Sequence, residues 1–183
     1  LERMLPLGVK LVQMRIKDLP ADETRAALQR SKRLCDAAGA IMVVNDFWEM
    51  AIDLDCDWIH LGQEDLADAD MAAIRRAGLK IGISTHDEAE LDRALAEKPD
   101  YVALGPVYPT ILKKMKWVEQ GLDRVQQWKN YIGGLPLVGI GGMTIDRAAG
   151  VYAAGADIVS VVTDITLNEN PEERPKCWLK ATR

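Results

Sequence analysis

Leu11-Val12-Gln13-Met14-Arg15-Ile16-Lys17 alternates apolar and polar residues with period two. As a strand it turns Val12, Met14 and Ile16 to one face and Gln13, Arg15 and Lys17 to the other. Alone, the pattern reads as a half-exposed antiparallel strand with a solvated polar face. Its neighbours change that reading. Each later strand pattern is separated from the next by a helical one, which implies a parallel sheet covered on its outer faces. A donor row of Gln, Arg and Lys inside such a sheet costs desolvation unless an anion meets it. Gln13, Arg15 and Lys17 are therefore a candidate anion-binding row.

Working outward, residues 1–8 read as the end of a helix closed by Gly8, with Pro6 against it. Pro20-Ala21-Asp22-Glu23 opens a helix that carries Leu28 and Leu34 and stops at Gly39. The strand 41–44 ends in Asn45-Asp46, and a brief helix from Trp48 to Leu54 leads to the strand Trp58 to Gly62. Gln63, Glu64 and Asp65 read as a loop before a helix from Met71 to Arg76. The strand 80–83 ends in Ser84-Thr85-His86, and helical spacing covers 87–98. The strand 101–104 ends in Gly105-Pro106, and a long loop to about Gln120 precedes a helix around 123–131. The strand 137–140 ends in Gly141-Gly142, and Thr144 is placed to cap a helix running to Ala154. Residues 157–162 form the last strand pattern, and the tail from Asn168, with Pro171 and Pro175, shows no clear period.

That is seven strand-then-helix units in an unbroken series over 1–183, read as a single domain. Nearly every strand finishes in small or functional residues, as a (β/α)₈ TIM barrel requires for its active site, whereas an open sheet gathers them at one switch point. The expectation is an α/β chain folded as that barrel. The count is one strand short and the length of 183 residues is below the roughly 200 usual for the fold. The missing unit is then a first strand preceding Leu1, which leaves Gln13 to Lys17 on an unpaired edge.

Composition sets the outer bounds. With 48% apolar and 28% charged residues the chain is ordinary for a globular protein, and a formal charge of −5 gives no general reason to bind nucleic acid or an anionic membrane. Any anion site must be local. Three scattered cysteines, Cys35, Cys56 and Cys177, stand in no metal-ligand spacing and suggest a reducing compartment. No apolar run approaches the roughly 18 residues of a membrane span, and no signal-peptide pattern opens the chain. A cytoplasmic location is expected. Nothing in the sequence reports an oligomeric state.

The strand ends carry the chemistry. Asp46 and Asp65 follow consecutive strands, so a barrel brings them within reach of one ion, and magnesium is commonly held by one or two carboxylates plus phosphate oxygens. Each also has a plainer reading, Asp46 as a helix N-cap and Asp65 as a solvated loop acid. Gly141-Gly142 and Val162-Thr163 close the last two strands, where this fold often binds phosphate on backbone N–H groups. Tight turns alone would also explain the glycines. Among Lys113, Lys114 and Lys116 in the long loop, spacing cannot choose. His60 on a strand is better read as a packed core residue than as a base. No Ser/His/Asp or Cys/His arrangement is present.

Taken together, Gln13-Met14-Arg15-Ile16-Lys17, Asn45-Asp46, His60-Leu61-Gly62-Gln63-Glu64-Asp65-Leu66, Ser84-Thr85-His86, Gly105-Pro106-Val107-Tyr108-Pro109-Thr110 and Gly139-Ile140-Gly141-Gly142 resemble, in order and spacing, the motif series of the thiamine-phosphate synthases. The similarity runs over about residues 1–166. Each motif is weak alone, and six in order are specific. The resemblance implies a (β/α)₈ barrel transferase that joins an aminopyrimidine-methyl diphosphate to a thiazole monophosphate, with Mg²⁺, and releases pyrophosphate.

By position, it places Gln13, Arg15 and Lys17, with Met14 and Ile16 between them, and Asn45 around the pyrimidine diphosphate. Asp46 and Asp65 become the Mg²⁺ ligands and Ser84 a pyrimidine contact. Arg15, Lys17 and Lys113 become catalytic groups that stabilise the departing pyrophosphate. Thr110, Ile111, Leu112, Lys113, Gly142, Val162 and Thr163 line the thiazole side. The implied reaction is dissociative, needing fixed positive charge on the leaving group and no base.

Three features depart from the family's pattern. Leu112 stands where a threonine is usual, 115–119 is bulkier than the expected small, proline-rich stretch, and Asp164 takes a small residue's place. Asp164 then either caps a short helix or puts an acid beside the phosphate. Two other readings remain open on the sequence. One is a thiazole tautomerase-like isomerase on the same barrel, against which Asp46, Asp65, Arg15 and Lys17 argue, since an isomerase releases no pyrophosphate. The other is a non-catalytic barrel that binds a thiamine-related phosphate.

Overall fold

In the first of two compact units, Leu1–Gly82, residues that alternate in sequence also alternate in burial. The computed structural model describes residues 1–111 and 118–182 of the chain. β1 (Leu11–Met14) exposes Leu11 and Gln13 and half-buries Val12 and Met14. The alternation continues past its end, with Arg15 and Lys17 exposed and Ile16 buried. The regular strand therefore stops short of the expected Lys17, but the two-faced row persists. β2 (Ile41–Asn45) differs, being buried from Met42 through Asn45 as a strand covered on both faces is. β1, β2 and β3 (Trp58–Leu61) pair in parallel, Gln13 opposite Val43 and Asn45 opposite His60.

α1 (Ala21–Ala38) buries Thr24, Leu28, Ser31 and Cys35, the one-sided spacing that lays a helix on a sheet. It ends at Gly39, whose φ of +58° suits glycine. α2 (Trp48–Asp53) matches the expected brief helix. Two expectations fail in this unit. Residues 1–8 hold only a 3₁₀ turn, Leu5–Leu7, because Pro6 lacks the donor an α-helix interior needs. The stretch read as a loop is α3 (Gln63–Asp68), with Glu64 and Asp65 in its first turn, where acids favour the helix dipole. α4 (Met71–Arg76) follows, capped by Asp70, whose Oδ1 accepts from Ala73 N at 2.8 Å. β4 (Lys80–Thr85) begins in this unit, Lys80 N donating to Asp57 O at 2.9 Å.

The second unit begins at Ile83. It contains the end of β4, then α5 (Glu88–Ala96), β5 (Tyr101–Leu104), α6 (Gly121–Ile132), β6 (Leu137–Ile140), α7 (Ile145–Ala153), β7 (Ile158–Ser160), α8 (Thr163–Thr166) and α9 (Arg174–Ala181). β5, β6 and β7 pair in parallel. At Gly139 a Cβ would stand 2.7 Å from Val151 Cγ1, so the glycine sets how closely α7 lies on β6. Thr144 is the α7 N-cap by position, but its side chain makes no capping bond. The last strand is shorter than the expected 157–162. The unread tail is helical, with Pro175 in the first turn of α9, where its missing donor costs nothing.

One buried hydroxyl ties three elements of this unit. Thr85 Oγ1, at the end of β4, donates to Ala103 O of β5 at 3.0 Å and accepts from Trp128 Nε1 of α6 at 3.0 Å. Thr85 is fully buried and Trp128 is 2% exposed. Among the described residues no helix is long and apolar enough to cross a membrane.

Two predictions follow from these buried polar groups. Thr85→Val strands the indole N–H and should cost about 1–3 kcal/mol in urea unfolding, while Thr85→Val with Trp128→Phe should cost less than the two single changes added. Full additivity would show that the hydroxyl couples nothing. His60, buried on β3, has its pKa pushed from 6.5 down to about 4 by burial, against a smaller opposing pull from Asp46. Between those values the unfolded chain binds a proton that the folded chain refuses. Stability should therefore be intact above pH 6.5 and fall toward pH 4, by up to about 1.4 kcal/mol per pH unit. In denaturant titrations over that range, His60→Gln should flatten the slope, and an unchanged slope would contradict it.

Candidate active site

In the first unit, the strand ends gather one amine and two carboxyls. Parallel pairing of Asn45 with His60 puts Asp46 just past β2, where its N–H donates to His60 O at 3.0 Å. Asp46 has φ +71°, a left-handed conformation that Asp tolerates better than most residues. Its side chain does not cap α2, whose N-cap is Phe47 without a side-chain bond. Instead Asp46 Oδ2 accepts from Lys17 Nζ at 2.5 Å, the carboxylate 12% exposed and the lysine 46%.

Asp65, in the first turn of α3, feels the charge of the Asp46 carboxyl. Burial first, and then the charge of Asp46, push its carboxyl above the ordinary 3.8, with Lys17 pulling the other way. Two neighbouring carboxyls repel when both are ionised, and a bound cation can relieve that repulsion. Gly62 makes the room: a Cβ there would stand 2.9 Å from Asp65 Oδ2. Among the described residues no three His, Cys, Asp or Glu groups cluster to hold a metal. The donor set is thus two carboxylates, which suits magnesium completed by phosphate oxygens and is too sparse for an all-protein cage. Gln13 and Arg15 are exposed near this cluster in sequence, Met14 is half-buried, and Ile16 and Asn45 are buried.

The second unit supplies a backbone cradle. Gly141 and Gly142 have φ +96° and +62°, and the segment after β5 crosses them closely. A Cβ on Gly142 would stand 2.4 Å from Pro109 O and 2.8 Å from Tyr108 Cβ. Val107 N donates to Ile140 O at 2.8 Å and Tyr108 N to Gly141 O at 3.2 Å, stitching the two segments together. Glycine is therefore required here by more than turn geometry.

Sequence reading missed Arg147. Its Nη1 donates to Gly142 O at 2.5 Å, and its guanidinium lies 4.6 Å from the Tyr108 ring centroid. The available signal was a cation near the start of a helix, where the dipole disfavours it. Thr110 and Ser84 are half-buried, Ile111 is 82% exposed, and Val162 and Thr163 are half-buried at the start of α8. Leu112 and Lys113 lie outside the described residues. His86 is engaged by Glu90, whose carboxylate accepts from His86 N at 2.8 Å and meets Nδ1 at 2.7 Å.

A family model described as thiamine monophosphate synthase matches residues 1–165. A thiamine-phosphate synthase of Rhizobium etli is 59% identical over 181 residues, covering 99% of this chain and 89% of that protein. One of Neisseria meningitidis serogroup A is 41% identical over 177 residues, covering 97% and 86%. Among solved structures, thiamine phosphate pyrophosphorylase from Pyrococcus furiosus superposes with a TM-score of 0.86 at 26% identity, over 98% of this chain and 86% of that one. A 3-hexulose-6-phosphate synthase matches at TM-score 0.72 and 14% identity, over 100% and 94%, a likeness of fold alone. The chain belongs to the thiamine monophosphate synthase family.

Proposed function

We propose that the chain, a transferase that forms thiamine phosphate, does so by joining an aminopyrimidine-methyl diphosphate to a thiazole monophosphate with loss of pyrophosphate. The observation that carries this reading is the Lys17–Asp46–Asp65 cluster. It sets a cation beside two neighbouring carboxyls, one of them held above its ordinary pKa by burial and by the other's charge. Such a cluster fits a magnesium diphosphate and serves no purpose in an isomerisation.

Asp46 and Asp65 would hold the magnesium ion, which when bound supplies charge neutralisation to the diphosphate. Lys17 and Arg15 add fixed positive charge where the leaving group develops its negative charge, and Lys113 does the same from the long loop. Asn45 and Gln13 hold the diphosphate in register, with Met14 and Ile16 as the apolar face behind the row, and Ser84 orients the pyrimidine. The C–O bond to pyrophosphate breaks first, leaving a pyrimidine-methyl cation that the thiazole nitrogen captures with its lone pair. No protein base is needed. Thr110, Ile111, Leu112, Gly142, Val162 and Thr163 receive the thiazole phosphate, and the glycine segment offers backbone N–H groups that need no side-chain desolvation.

The fold we propose is a single domain of the (β/α)₈ barrel type, supported by the TM-score of 0.86 with the Pyrococcus protein. The free thiols of Cys35, Cys56 and Cys177 fit a reducing compartment.

Purified protein given both substrates and Mg²⁺ should yield thiamine phosphate and pyrophosphate in equal amounts, and isomerised thiazole phosphate without pyrimidine consumption would refute the reading. Asp65→Asn should lower kcat by about 100-fold or more, yet raise the metal-free melting temperature, because a repelled carboxyl is removed. Magnesium should stabilise the wild type in thermal unfolding and leave Asp65→Asn unmoved. An equal magnesium shift in both proteins would exclude Asp65 as a ligand. Arg15→Met and Lys17→Met should each lower kcat by about 10²–10³-fold with the KM for thiazole phosphate unchanged.

A further inference from the structure

Asp164 is held by the C-terminal helix. Its Oδ2 accepts from Arg174 Nε at 2.9 Å and from Trp178 Nε1 at 2.7 Å, and its Oδ1 accepts from Arg174 Nη2 at 3.1 Å. Both oxygens are thus engaged by a forked guanidinium, the strongest geometry for a carboxylate, and the indole adds a third donor. The carboxylate is 12% exposed and the guanidinium side chain 28%. Burial pushes the Asp164 pKa up, but the Arg174 and Trp178 bonds outweigh it and hold the acid below its ordinary 3.8, so it is ionised at neutral pH.

All three donors come from α9, which packs on α7 and α8. Trp178 is 5% exposed and anchors that contact. Asp164 directly follows Thr163 in the short α8, whose turn is closed by Ile165 N and Thr166 N donating to Val162 O at 3.0 and 2.9 Å. An unneutralised carboxylate at this point would oppose any phosphate received by Val162 and Thr163. Asp164 caps nothing and does not reach toward an anion; its charge is cancelled in place.

We propose that Arg174 and Trp178 are positioning residues for the phosphate site at Val162 and Thr163, neutralising Asp164 so that thiazole phosphate is admitted and coupling that site to α9. This rests on the reading of Val162 and Thr163 as thiazole-phosphate residues. The coupling is electrostatic in sign: removing the cation weakens phosphate binding, and removing the acid strengthens it.

The test is calorimetric titration of the full chain with thiazole monophosphate, alongside steady-state kinetics with both substrates and Mg²⁺. Arg174→Met should raise Kd and KM for thiazole phosphate about tenfold, equivalent to about 1.4 kcal/mol, with kcat and the pyrimidine KM within about twofold. Asp164→Asn should lower that Kd, and Asp164→Asn with Arg174→Met should return it to within about threefold of the wild type. Arg174→Lys, which keeps the charge and loses the fork, should fall between, and serves if Arg174→Met does not fold. Unchanged affinity in Arg174→Met, or a rise in Kd for both single variants, would mean ordinary packing and overturn the proposal. A wild type that binds thiazole phosphate in the expected variant order without turnover would refute the synthase reading and keep this one. A wild type that does not bind it would refute both.

Discussion

Asp46 and Asp65 are neighbouring carboxyls, and burial together with the Asp46 charge pushes Asp65 above its ordinary 3.8 while Lys17 pulls the other way. Bringing two carboxyls together in a half-buried place works against stability. With the Asp65 pKa raised in the folded chain, the stability this group contributes is lost as pH rises above 3.8 through the folded pKa. At neutral pH the repulsion remains, softened by Lys17 at 2.5 Å. Such an arrangement persists when something outside the chain relieves it, and a divalent cation is the simplest such group. The surrounding details serve the pair. β2 stays buried through Asn45, Asp46 accepts a left-handed backbone, and Gly62 leaves room for the Asp65 carboxylate.

In the proposed reading, the second unit would meet an anion differently, with backbone in place of charge. Gly141 and Gly142 let the segment from Pro106 to Pro109 pass so closely that a Cβ at either position would collide with it. Arg147 is spent on Gly142 O and the Tyr108 ring, and Arg174 on Asp164, so these guanidiniums shape the segments around the cradle. An economy of free cations is consistent with a net charge of −5. The favourable field is local and made by orientation.

Strand positions were legible because burial on one or both faces leaves a short-range mark: alternation at Val12 to Ile16 and continuous burial at Met42 to Asn45. That Lys17 and Asp46 would meet past their strands was legible for the same reason, since βα order gathers the residues that follow strands. Family membership rested on six spaced motifs and not on composition. What was missed depends on contacts distant in sequence or on short elements. α3 was read as a loop because Gln63, Glu64 and Asp65 look solvated until their helix is seen, and the tail because Pro171 and Pro175 hide α9. Residues 1–8 erred the other way, where Pro6 permits only a 3₁₀ turn. Thr85 with Trp128, and Asp164 with Arg174 and Trp178, join residues too far apart for any local pattern. The plain reading of Asp46 as an N-cap failed because its carboxylate had a better partner in Lys17, which lies on another strand end.

The most direct test of the paired-carboxyl cluster is a carbon-13 NMR titration of the Asp65 side-chain carboxyl, with and without Mg²⁺ and inorganic pyrophosphate. In the free protein its pKa should lie above 3.8, and with Mg²⁺ and pyrophosphate it should fall as the cation offsets the neighbouring charge. An Asp65 that titrates at its ordinary value in both conditions, with no response to the ion, would contradict the account.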